Sequence, residues 1–248
     1  MNDVRSSGFT TVFIWSVHID TAGNLSLNDT PIVTNGTYVG YSSWPGLIST
    51  LKKSPTSVNR IEVSIGAWGT SDFHDVQRIM NSKGLGPSTN LYKNFEVLKT
   101  VTGADAADFD DEDLYDSTTT VAFGEMLSSM GYKISLCPYR NVPYWQAVKS
   151  KLGNRVDAVW LQCYAGGAYN NPATWNAALG TKVYPGLWSN HGTNCQDGDS
   201  PSQVETQMAI WRSTSSVTGG FIWYYDDIQH CGPSTAAYAT AVRHPLGG

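Results

Sequence analysis

The stretch Ala104-Asp105-Ala106-Ala107-Asp108-Phe109-Asp110-Asp111-Glu112-Asp113 sets six carboxylates into the nine residues from Asp105 to Asp113. It follows a helical segment that ends near Thr100 and Gly103, and Ala106, Ala107 and Phe109 give it the pattern of a buried strand. On an extended chain side chains alternate between faces, so Asp108, Asp110 and Glu112 share one face while Phe109 and Asp111 take the other. Like charges lined up in a low-dielectric interior cannot all ionise; some protons are retained and shared along the row. A row of this kind keeps a carboxylic acid ready to donate a proton near neutral pH. The bland alternative is a solvated acidic turn. A calcium loop fits less well, because the EF-hand pattern requires Asp-x-Asp-x-Asp-Gly with Glu at position twelve, and no such Gly is present.

Outward from this stretch, short apolar runs rich in β-formers recur at 10–17 (TTVFIWSV), 60–68 (RIEVSIGAW), 106–110 (AADFD) and 133–139 (KISLCPY). They continue at 157–164 (DAVWLQCY), 182–188 (KVYPGLW) and 219–227 (GGFIWYYDD). Each is nearly continuously apolar, as strands covered on both faces are. Helical segments lie between most of them, at 88–100, 117–130, 143–152 and 201–213, and Gly131 and Gly153 stand where two of these should stop. Strands alternating with helices mean a parallel sheet, and the expected fold is an α/β barrel of the TIM (β/α)8 type. Seven strands are clear where a closed barrel has eight. The segment 20–59 has room for a hairpin near 25–41 and a helix near 44–53; either it hides the eighth strand or the barrel lacks one at its N-terminal side. With no linker or short repeat, 1–248 is expected to be a single catalytic domain.

Lys and Arg number 16 against 21 Asp and Glu, a formal charge of -5, and the basic residues form no block. That argues against nucleic acid as a partner. No run approaches the roughly 20 apolar residues of a membrane span, so no membrane partner is expected. Nine Trp and thirteen Tyr exceed ordinary core filling. Extra core packing and platforms for a sugar ring both account for them. Of four cysteines, Cys137 and Cys163 sit in apolar runs and read as buried thiols. Cys195 and Cys231 lie in polar, Gly-rich loops and are candidates for a disulfide, which would fit an oxidising compartment. The chain opens MNDVRSSG without a leader pattern; a secreted protein is expected, its signal absent from this sequence.

The acids Asp105-x-x-Asp108-x-Asp110-x-Glu112 resemble the Asp-x-x-Asp-x-Asp-x-Glu signature of the family 18 glycoside hydrolases, the chitinase-like barrels. The order of other motifs agrees. Ser64-Ile-Gly66-Ala67 is similar to the Ser-x-Gly-Gly of the preceding family strand, with Ala67 in place of the second Gly. Gln162-Cys163-Tyr164 resembles the strand that supplies the active-site Tyr, and Gly219-Gly220-Phe221-Ile222-Trp223 the last strand, whose Trp floors the sugar site. The layout is closest to the small hevamine-type members, with the 9–18 strand as the family's second, so it is the first that is missing.

The resemblance implies a substrate-assisted retaining mechanism on a glycan bearing N-acetylated amino sugars, outside the usual two-carboxylate scheme. Glu112 would be the acid, Asp110 the group holding the acetamido N–H, Asp108 the proton-sharing neighbour, Tyr164 a donor to the acetamido oxygen and Trp223 the platform. Gln162, Ser64 and Asp226 would support them, and Asp105, of opposite parity, would be structural together with Ser64 and Gly66. Trp15, Trp68, Tyr139, Trp188 and Tyr224 stand near strand ends, where subsite and core roles are equally open. The rival function is a chitinase-like lectin without turnover; a relative acting on galactosamine-containing glycans or peptidoglycan is a third. A monomer is expected. No metal or cofactor is needed for this chemistry, so hydrolysis is expected to survive EDTA; loss of activity restored by calcium alone would return weight to the calcium loop.

Overall fold

The computed structural model describes residues 1–248. Ten strands form: β1 (Thr11–Ile19), β2 (Leu25–Leu27), β3 (Thr30–Thr34), β4 (Thr37–Tyr38), β5 (Arg60–Ile65), β6 (Ala106–Phe109), β7 (Lys133–Leu136), β8 (Val156–Gln162), β9 (Tyr184–Trp188) and β10 (Phe221–Trp223). They order as β10-β9-β8-β7-β6-β5-β1-β2-β3-β4. Seven of them, β1 and β5 to β10, pair in parallel, each joined to the next through helix on the outer side. This is the α/β barrel expected from the alternation of apolar runs and helical segments.

The segment 20–59 holds no eighth barrel strand. After β1 the chain turns back as an antiparallel meander, β2 to β4, and then forms the short helix Trp44–Ser49. Asn35 and Gly36 take positive φ of 50° and 73°, the conformation that a tight hairpin between twisted strands requires. The sheet therefore has two ends, β10 paired only with β9, and β1 paired with β2 only over Val17–Ile19. Side chains bridge those ends. Phe13 of β1 lies 6.3 Å from Phe221 of β10 between ring centroids, and Trp15 meets Trp223 edge-on at 4.2 Å. Aromatic packing closes the ring where backbone hydrogen bonds do not.

Between strands and helices lies the main apolar layer. Phe109 of β6 points outward, stacked on Phe123 at 5.3 Å and edge-on to Phe73 at 5.6 Å. Burying Phe109 and Phe123 fully stabilises the fold by about 1.5–3 kcal/mol each. The helices start where polar caps stand: Thr89 accepts from the Tyr92 N–H, Asp116 from the Thr118 and Thr119 N–H groups, and Ser200 forms a capping box with Gln203. The 219–227 run is a strand only over Phe221–Trp223. Its remainder begins the helix Tyr225–Cys231, whose first turn carries Asp226 and Asp227 against the positive end of the helix dipole.

Cys195 and Cys231 form a disulfide across a sequence separation of 36, tying the loop after β9 to the end of that helix. A closed loop of this length corresponds to about 4 kcal/mol of chain entropy removed from the unfolded state. Reduction is expected to lower the unfolding temperature by about 10 °C, measured by thermal unfolding with and without dithiothreitol; an unchanged midpoint contradicts it.

Candidate active site

Parallel register assembles the interior. Ser64 of β5 is level with Asp108 of β6, and Asp108 is level with Ser135 of β7. Two residues on, where β6 ends, Asp110 takes the same face, and Glu112 follows in the loop. Gln162 at the end of β8 donates from Nε2 to Asp110 Oδ1 at 2.8 Å and to Glu112 Oε1 at 3.2 Å. Both carboxyls thus meet on one amide, and each shifts the titration of the other. Ser64 Oγ donates to Asp108 Oδ2 at 2.8 Å, and Ser135 Oγ lies 2.9 Å from Asp108 Oδ1.

Gly66 explains why a residue without a side chain follows Ser64. Its φ is +95°, and a Cβ there would stand 2.4 Å from the Asp110 carbonyl oxygen. The loop that carries Glu112 is organised by Asp111, which turns the other way and is buried. Its carboxylate accepts from the Leu114 and Tyr115 N–H groups at 3.0 and 3.1 Å and from the Tyr144 hydroxyl at 2.6 Å. Arg140 caps the outer side, donating to the Glu112 carbonyl at 3.4 Å and to the Tyr115 hydroxyl at 3.0 Å.

Burial drives the electrostatics. It is the first cause that pushes Asp108 up to about 7, with repulsion from Glu62 next. Asp110 is held well above the usual carboxylate range by burial and then by the charges of Glu112 and Asp108. Glu112, half-buried, is also raised by burial, against the opposing hydrogen bond from Gln162. Burial likewise raises the Tyr164 hydroxyl, with the nearby acids and Cys137 adding to it, so it stays a proton donor.

A cavity of about 840 Å³ opens onto this row, lined by Asp108, Asp110, Tyr164, Trp15, Trp223 and Tyr224 among others. Trp223 lies nearly parallel to the Tyr164 ring at 6.2 Å, and Tyr224 stands 6.2 Å from Trp15. The Trp15 indole N–H is buried without a partner. Trp188 lies apart. It borders a second cavity of about 620 Å³ shared with Tyr164; its N–H donates to Asp227 at 2.8 Å and one face is covered by His191 at 3.8 Å. Tyr139 lines neither cavity but packs against Gly166 and Arg140 at the rim. Trp68 is 81% exposed on the loop after β5. Asp105 binds Lys52 Nζ at 2.8 Å and the Ile61 N–H at 2.8 Å, away from the other acids. His18 pairs with Asp72 at 2.9 Å, a bond that raises its pKa.

No family model and no curated protein matches this sequence. Solved structures do. The GH18 chitinase from the chitin utilization locus of Flavobacterium johnsoniae superposes with a TM-score of 0.65 at 12% identity, over 99% of this chain and 89% of that one. A chitinase-like agglutinin from Robinia pseudoacacia gives 0.64 at 14%, over 99% and 95%. The fold is that of the family 18 chitinases and chitinase-like proteins. A third neighbour of this chitinase-like barrel, a Cycas revoluta GH18 chitinase in complex with (GlcNAc)3, matches at 0.62 and 13%, over 96% and 94%.

Sequence reading passed over the groups beneath the row, Arg60, Glu62 and Ser135. The signal was present: Glu62 stands two residues before Ser64 and shares its face. In the chitinase-like barrel, Asp108 binds a proton in the folded state at pH values where an unfolded Asp has lost it. Between the unfolded value near 3.8 and the folded value of about 7, folding therefore takes up a proton, and stability falls as pH rises through that window. Urea unfolding from pH 4 to 7 is expected to show a decline of up to about 1.4 kcal/mol per pH unit from this group. Asp108→Asn should flatten it; an unchanged slope in that variant contradicts the assignment.

Proposed function

We propose that this protein is a glycoside hydrolase that cleaves a glycan bearing N-acetylated amino sugars, chitin-like in chemistry, with retention and with help from the substrate itself. The observation that carries this reading is the contact of Glu112 with Asp110, both held by Gln162 above a protonatable Asp108. Glu112 is the member of the row nearest solvent, and its raised pKa leaves it a proton to give to the glycosidic oxygen. As the bond to the leaving sugar breaks, the 2-acetamido oxygen of the substrate closes on the anomeric carbon. Asp110 accepts the acetamido N–H and balances the positive charge of the resulting oxazolinium. The Tyr164 hydroxyl donates to the acetamido oxygen and the Trp223 face supports the ring. Glu112, now a carboxylate, takes a proton from the water that opens the oxazolinium, and the site returns to its starting state.

The neighbour structures support a carbohydrate ligand, since those of the Cycas revoluta chitinase include complexes with (GlcNAc)3, (GlcNAc)4 and allosamidin. The agglutinin among the neighbours supports a binding protein without turnover as the second reading. The disulfide supports export to an oxidising compartment.

Mass spectrometry of products from chitin oligomers, galactosaminoglycan, peptidoglycan glycans and N-glycans tests the class. Chitin oligomers are expected to yield shorter products with the β-anomer formed first. Glu112→Gln should lower kcat by a factor of about 10²–10⁴, and Tyr164→Phe by about 10²–10³. Inertness of the wild type across all four glycans, with retained binding, would establish the lectin reading instead.

A further inference from the structure

We propose that Glu62 is a positioning residue of the acid row, acting through the Ser135 hydroxyl to hold a proton on Asp108 and so leave Asp110 free to carry negative charge. This rests on the hydrolase reading for its kinetic consequence, and on geometry alone for the proton relay.

Glu62 lies on the barrel floor, fully buried, one interior layer below Ser64. Burial raises its pKa, and the Arg60 charge and the hydrogen bonds of Ser135, Arg60 and Trp160 oppose that by favouring the ionised form. Arg60 Nε donates to its Oε1 at 2.6 Å, and Trp160 Nε1 from β8 donates to its Oε2 at 3.2 Å. The Arg60 guanidinium is itself held by Asp157 of β8 through two bonds of 2.9 and 2.8 Å. From β7, the Ser135 hydroxyl makes a short hydrogen bond to Glu62 Oε2 and also touches Asp108 Oδ1 at 2.9 Å.

A hydroxyl has one proton, yet this one contacts oxygens of two carboxyls. If both were ionised, one carboxylate oxygen would face a bare hydroxyl lone pair at hydrogen-bond distance. One carboxyl therefore carries a proton. Glu62 has two N–H donors, one of them from the charged Arg60 guanidinium and the other from Trp160; Asp108 has only Ser64 on its other oxygen. The proton belongs on Asp108 Oδ1, which donates to Ser135 Oγ, which donates to Glu62. The elevation of Asp108 to about 7, with repulsion from Glu62 among its causes, agrees. With Asp108 neutral, one of the charges that raise Asp110 is removed from beneath it.

Two substitutions separate the relay from mere packing. In Glu62→Gln the anion is gone and the new amide can donate to Ser135, turning the Ser135 proton toward Asp108. Asp108 then ionises at lower pH and repels the Asp110 charge, so the acidic limb of the kcat/KM profile moves up by about one pH unit, with about a tenfold loss on that limb. Ser135→Ala removes the acceptor of the Asp108 proton and with it the link to Glu62, so Asp108 again ionises at lower pH and the limb moves up, by less than in Glu62→Gln because the Glu62 anion remains. Altered packing alone would lower kcat in both variants without moving the limb.

Infrared difference titration of the whole protein, without substrate, reads the relay directly. The wild type should show a protonated carboxyl band that disappears near pH 7 and is absent in Asp108→Asn. In Glu62→Gln it should titrate about one unit lower, and in Ser135→Ala its frequency should shift through loss of the acceptor. Absence of the band in the wild type, or a Glu62→Gln titration superimposable on it, overturns the proposal. Should Glu62→Gln not fold, an unshifted band in Ser135→Ala does the same. Lack of turnover on any glycan would sink the hydrolase reading while leaving the infrared result to decide the relay.

Discussion

Four carboxyls, Glu62, Asp108, Asp110 and Glu112, stand in line along the barrel interior with a single guanidinium, Arg60, at the lower end. In a medium that screens poorly, four adjacent negative charges are not tolerable, and shared protons relieve the repulsion. The hydroxyls of Ser64 and Ser135 and the amide of Gln162 are the donors that hold the remaining charge in place. Gly66 is part of the same constraint, because the carbonyl of Asp110 occupies the space a side chain would need. At the mouth, burial is the first cause that raises Glu112, against the hydrogen bonds of Gln162 and Asp110 that act the other way.

The barrel around the row is built from seven parallel strands whose ends do not hydrogen-bond to each other. What brings those ends together is a cluster of rings: Phe13, Trp15, Trp160, Phe221 and Trp223. Aromatic side chains suit this place because they span the gap and still tolerate edge-on packing. The same rings line the cavity that flanks the acids, so closing the sheet and shaping the site are one event. The high Trp and Tyr content, ambiguous in composition between core and ligand platform, belongs to both.

Much of the barrel could be read directly from the residues. Continuous apolar runs located all seven parallel strands, because strands covered on both faces show no polar alternation to obscure them. The Asn35-Gly36 turn and the hairpin in 25–41 had local backbone causes. Among site residues, strand parity put Asp108, Asp110 and Glu112 on one face and Asp111 on the other, where it binds the Tyr144 hydroxyl. Trp188 and Tyr139 were candidates by position at strand ends, but their surroundings are set by the loops 164–171 and 188–199, whose courses depend on distant contacts such as the bond from Trp188 to Asp227. The shortness of β10 was hidden for the same reason: 219–225 carries no charged residue, and only its single strand partner ends the ladder after Trp223.

By itself the sequence determined the alternation of strand and helix and the face each acid takes, since both follow from local periodicity. Only the tertiary structure decided that Glu62 and Ser135, on strands 73 residues apart in the chain, meet beneath Asp108. It likewise decided that rings rather than an eighth strand close the barrel. Register between non-adjacent strands depends on the packing of the whole sheet, and no local pattern encodes which hydroxyl will stand between two buried carboxyls.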